Sequence, residues 1–127
     1  YINDFFAVMR GAFLIHKARL QDPGTMPADR VLHMATRGGA AALGLERVGA
    51  LEPGWAADLQ LVDASLPTPL TTHNLLEQLI LWRDHHHVTD VMVAGTWRVR
   101  GGEVLNTDMA RLRSRTSEQA KRLWSGS

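Results

Sequence analysis

The sequence predicts a mixed α/β chain, helical over roughly its first 45 residues and mixing single strands with helices after that. Three observations predict it. Apolar residues recur at spacings of three and four through residues 4–20. Short strand-like runs at 59–62, 88–93 and 96–100 are bounded by turns that contain glycine or proline. A second long helical period occupies residues 109–124.

In the first helix, Phe5, Met9, Ala12, Phe13, His16 and Leu20 fall on one face. Asn3 or Asp4 is placed to cap its free amides. Asp22-Pro23-Gly24 is a turn signal. Pro27 suits the first turn of a second helix, where its missing N–H costs nothing. That helix runs to about Thr36 and turns Val31, Met34 and Ala35 inward. Gly38-Gly39 then lets the chain bend or lets two backbones approach closely. Residues 40–43 continue as a short helix, and Gly44 is placed as its C-terminal cap.

Glu52-Pro53-Gly54 reads as a turn, with Pro presetting φ and Gly taking positive φ. Residues 59–62 form a strand whose apolar composition fits cover on both faces. Pro67 and Pro69 mark an irregular connection. A third long helix spans 73–82, with Leu75, Leu76, Leu79, Ile80 and Trp82 in a wide apolar stripe. Residues 88–93, 96–100 and 103–105 form a small antiparallel meander turning at Ala94-Gly95 and Gly101-Gly102. Thr107 or Asp108 caps the last helix, which turns Met109, Leu112, Thr116, Ala120 and Leu123 inward with Trp124 beside them. The change from helices to mixed elements places a boundary near residues 45–51, dividing the chain into 1–46 and 47–127.

A chain of 127 residues with 45% hydrophobic residues can bury a core. Charged residues at 21% and a net charge of +1 are those of an ordinary globular protein. This balance gives no reason to expect nucleic acid or an acidic membrane surface as partner. The Arg111, Arg113 and Arg115 cluster reads as a solvated helix face. Zero cysteines exclude disulfides and thiolate ligands, and fit a cytoplasmic protein. No stretch approaches the ~20 apolar residues of a membrane span. The first residues lack the basic start of a signal peptide. With no initiator Met and an apolar helix beginning at once, the expectation is that the chain starts inside a longer protein.

Four local patterns then occur in order. Asn3-Asp4 precedes FFAVMRGAFLIHK. Ala35-Thr36 precedes Gly39-Ala40 and Leu43-Gly44. Val48-Gly49 leads through Leu51-Glu52 and Gly54 to Ala57-Asp58. Val88, Val91, Val93 and Gly95 close the series. Together they resemble the C-terminal part of the metal-dependent amidohydrolases, and most closely the aminohydrolases and chlorohydrolases of purines, pyrimidines, methylthioadenosine or triazines. Two departures stand out. Trp55 occupies a position where the family most often has Lys, and Gly95 is followed by Thr96-Trp97.

The resemblance implies the last helices of a (β/α)8 barrel, followed by the C-terminal part of a composite β-sandwich domain with peripheral helices. It implies one divalent metal, zinc or iron, held by histidines and an aspartate from barrel strands, which activates a water to expel ammonia or halide from a heterocycle. The H-x-H pair of that metal site is not present as a motif, and the remaining ligands are expected before Tyr1. No catalytic or metal-ligating residue is therefore assigned here. Asn3 is the one candidate for a supporting position beside the site.

The histidines and Asp58 carry the remaining chemistry. His85, His86 and His87 make a metal-like run, but adjacent positions point to different sides, so a solvated loop is the favoured reading. His16, His33 and His73 read as packing or capping residues. Asp58 reads as an acceptor for turn amides. The leading functional reading is the C-terminal part of a metal-dependent hydrolase, inert alone, whose partner is the missing barrel or another copy of the chain in a homo-oligomer. The alternatives are a non-catalytic binding or assembly module, and a small enzyme built on the histidine run.

Overall fold

Helix α1, Phe5–Leu20, begins where Asp4 Oδ1 accepts the Phe6 amide at 3.0 Å and ends at Gln21, which takes a left-handed turn. In the computed structural model, which describes residues 4–65 and 67–125, α1 is followed by α2, Ala28–His33, a π-helical turn, Met34–Gly38, and α3, Gly39–Ala42. Strand β1, Leu59–Val62, and helix α4, Leu75–Trp82, come next. A 3₁₀ turn, His85–His87, leads into β2, Val88–Val93, β3, Thr96–Arg100, and β4, Glu103–Val104. Helix α5, Met109–Trp124, completes the order.

The strands form one antiparallel sheet in the order β1-β2-β3-β4. The expected meander is present, and β1 joins it beside β2 with Leu59 opposite Met92 and Leu61 opposite Asp90. Ala94-Gly95 and Gly101-Gly102 all take positive φ, as the two tight turns require. Leu61 is 49% exposed, so β1 is not covered on both faces by this chain.

The core is shared between both parts of the sequence. Phe6, Met9 and Phe13 of α1 pack with Ala28 and Val31 of α2 and with Ile80 of α4, which is 0% exposed. Val62, Leu76, Leu79 and Val88 pack against this cluster.

Four further expectations need correction. Met34 is 49% exposed at the rim of an open groove, so it is not turned inward with Val31. Phe5 and Leu20 are more than half exposed, and His16 is exposed, so α1 is rotated from the expected face. The helix is apolar almost all round, and periodicity cannot then select a single face. Gly38-Gly39 does not bend the chain, because both residues are helical. A Cβ on Gly38 would lie 3.2 Å from the His33 carbonyl, so glycine admits the close approach in the π turn. Finally, every residue of α5 is exposed, including Met109, Leu112, Thr116, Ala120 and Leu123. Among the described residues, none buries the expected inner face.

Candidate functional site

The polar groups of the chain concentrate where the start of α1 meets the end of α4. Arg10 projects from α1 and donates from Nε to the Ile80 carbonyl at 3.2 Å and from Nη2 to the Arg83 carbonyl at 2.6 Å. Carbonyls at a helix C-terminus have no intrahelical donor and carry the negative end of the helix dipole, so a guanidinium suits them. Asp4 reaches the same junction, with Oδ2 3.4 Å from His85 Nδ1.

The histidine run diverges. His85 faces Asp4, while His87 Nδ1 lies 2.9 Å from Asp84 Oδ1 and 3.2 Å from the Asp84 amide. The His86 ring stacks on His85 with centroids 3.9 Å apart. Asp84 also caps the 3₁₀ turn by accepting the His86 amide at 2.9 Å. Burial raises the Asp84 carboxyl, but the His87 ring and the His86 amide outweigh it, and the net shift is downward. No group of three or more His, Cys, Asp or Glu among the described residues fits a metal ion. His16, His33 and His73 are each exposed on separate elements. Asn3, the candidate supporting residue, lies outside the described residues.

Arg83 was not singled out from the sequence. It is 3% exposed, with Nη1 buried and without a hydrogen-bond partner among the described residues. It lines a cavity of about 120 Å³ with Asp63, Gln78 and apolar residues of β1 and α4. The only signal was a charged residue directly after the apolar α4 stripe.

The remaining motifs are contacts with one another. Asp58 Oδ1 accepts the Ala94 amide at 2.6 Å, and the Ala57 carbonyl accepts the Gly95 amide at 3.1 Å. The Ala-Asp pair therefore fastens the β2–β3 turn. Gly49 has φ +85, and a Cβ there would lie 2.9 Å from the Thr36 carbonyl carbon and oxygen. Arg37 pairs with Glu52 and stacks over Trp55, its guanidinium carbon 5.6 Å from the ring centroid. Tryptophan in place of the usual lysine thus meets a cation here instead of supplying one.

Among the described residues, no helix is long and apolar enough to cross a membrane. The family model for the amidohydrolase family matches residues 2–98. A 5-methylthioadenosine/S-adenosylhomocysteine deaminase of Pelotomaculum thermopropionicum is 38% identical over 120 residues, covering 94% of this chain and 28% of that protein. An adenosine deaminase of Xanthomonas campestris, solved with bound zinc, superposes with a TM-score of 0.88 at 35% identity, covering 95% of this chain and 28% of that one. The atrazine chlorohydrolase of Arthrobacter aurescens, solved with zinc, gives a TM-score of 0.73 at 28% identity, over 89% of this chain and 25% of that one. The chain thus spans little more than a quarter of these relatives' length. Matched by the family model over residues 2–98, most of its length, this chain belongs to the amidohydrolase family.

Proposed function

We propose that this chain is the C-terminal part of a hydrolase that removes ammonia, or in the manner of its chlorohydrolase relative a halide, from a heterocyclic ring. The adenosine-type deaminases among its relatives favour a purine nucleoside or its thioether analogue as substrate. In this reading residues 1–46 are the last barrel helices. Residues 47–127 are the closing part of a β-sandwich domain plus a terminal helix. The reading takes a divalent metal, zinc or iron, to be held by residues outside this chain, and the relatives solved with zinc support the metal. Asn3 is assigned a supporting place near the reacting centre. A cytoplasmic location fits the absence of cysteine.

One observation carries the reading. The inner side of α1 is buried, yet its outer side leaves Phe5, Val8 and Ile15 at 58%, 50% and 64% exposure. Phe5, Val8 and Ala12 border an apolar groove of about 140 Å³ with Val31, Met34 and Ala35. A helix apolar on both sides belongs in an interior. A barrel wall on the open side supplies that interior.

The test uses the complete gene product. Expected are about one tightly held zinc or iron per chain and ammonia release from 5′-methylthioadenosine or adenosine, lost on chelation and restored by metal. Release of chloride from a chlorotriazine, with no ammonia from the nucleosides, would move the substrate class. A metal-free product that releases neither would overturn the hydrolase reading. The open face of α1 also suits an assembly module, which predicts a metal-free protein in a defined complex with a second polypeptide.

A further inference from the structure

The three histidines before β2 do not share one task. Asp84 holds the turn, its Oδ1 accepting the His86 amide at 2.9 Å and lying 2.9 Å from His87 Nδ1. The His86 ring lies against His85, with centroids 3.9 Å apart. His85 is thereby backed on one side and turned toward α1, where its Nδ1 lies 3.4 Å from Asp4 Oδ2.

That contact joins residues 81 apart in the chain. The Asp4 side chain is only 16% exposed, although it stands just outside the helix it caps. Its Oδ1 accepts the Phe6 amide at 3.0 Å, which leaves Oδ2 to face the ring. A carboxylate only accepts, so the imidazole meets it with a proton on Nδ1.

The same connection is held from a second point. Arg10 lies six residues further along α1, about 9 Å away. It donates to the Ile80 and Arg83 carbonyls, the second of them two residues before His85. Two contacts at separate heights on α1 keep the helix from pivoting about either one. Asp4 is the upper of the two, and it follows Asn3 directly in the sequence.

We propose that His85 is a positioning residue for the reacting centre, acting through Asp4 by fixing where α1 begins. The inference rests on the hydrolase reading, in which Asn3 has a supporting place near that centre. A misplacement of about 1 Å can cost on the order of 100-fold in rate. An exposed ion pair adds little to stability. A positioning role and a merely structural one therefore differ in what the loss of the ring changes.

The metal-loaded complete gene product is assayed for ammonia release from 5′-methylthioadenosine or adenosine, or for chloride release where a chlorotriazine is the substrate turned over. His85→Ala should lower kcat about three- to tenfold and leave KM within about twofold. Bound metal should be unchanged, and the melting temperature should stay within about 2 °C. His85→Asn keeps a donor near the place of Nδ1 and should return most of the lost kcat. Asp4→Asn keeps the oxygen that caps α1, and in that background His85→Ala should cost no further kcat. An unchanged kcat, a loss matched by lost metal or a lower melting temperature, no recovery with asparagine, or an equal further loss in the Asp4→Asn background would each overturn the inference and leave the hydrolase reading intact. A wild-type product that releases neither ammonia nor chloride would overturn both.

Discussion

Arg10 sits in the second turn of α1, yet its guanidinium serves α4. Replacing it with Met keeps the stem and removes the donors to Ile80 and Arg83. The expected loss is about 2 kcal/mol, since bonds from a charged group contribute roughly 1.5–3 kcal/mol. Urea unfolding of the complete gene product measures it, and Arg10→Lys should recover only part. Gly49→Ala should cost about 2–3 kcal/mol, because positive φ and a Cβ at 2.9 Å from the Thr36 carbonyl act together. An equally stable alanine variant would show that the approach is not as tight as described. The sequence identified Asp58 as an acceptor for turn amides, and it is one. It did not reveal which turn, because the Ala94 amide lies 36 residues away and local patterns carry no long-range pairing. Trp55 looked like a neutral departure, and its stack on Arg37 depends on a contact between distant segments.

At the scale of elements, Ile80 is the keystone of α4. It is fully buried among side chains of α1 and α2, and Ile80→Ala should cost about 2–5 kcal/mol. Thermal unfolding checks this, and a loss below 1 kcal/mol would mean that the helices close over the gap. Helix α5 gives the opposite case. Asp108→Ala removes its N-cap and should cost about 1 kcal/mol of helix stability. Faster amide exchange over α5 in the complete gene product checks this, and unchanged exchange would show that the cap contributes little. The elements of the meander were legible because β-branched runs and glycine turns are local signals. The face of α1 and the continuity of α2 through Gly38-Gly39 were not. The first is set by which neighbours arrive, and the second by the π turn that glycine makes possible.

The whole molecule combines a shared core with open apolar surface. If the proposed reading holds, the chain produced by itself should bind apolar dyes and self-associate with rising concentration, and supplying a barrel part in the same cell should suppress both. A monodisperse solitary chain with no dye signal would contradict this. Acid should also weaken the fold. The Thr25 hydroxyl and Gly24 amide hold the Asp22 carboxyl below its ordinary value, and the Ser65 amide does the same for Asp63. A carboxyl lowered in the folded state stabilises it above the ordinary carboxylate range and loses that contribution as pH falls through the lowered value. Urea midpoints should therefore be flat from about pH 7 to 5 and fall below about pH 4, with a shallower fall in the Asp22→Asn, Asp63→Asn variant.

The grip of Arg10 on Ile80 and Arg83 spans 70 and 73 residues, and it has a temporal side. A ribosome adds roughly 5–20 residues per second, so on the order of 10 s separates the emergence of the arginine from that of its acceptors. Through that interval the phenylalanines and methionine of the opening helix lack their isoleucine. Nascent chains paused in this window should therefore offer that apolar face to a holding chaperone.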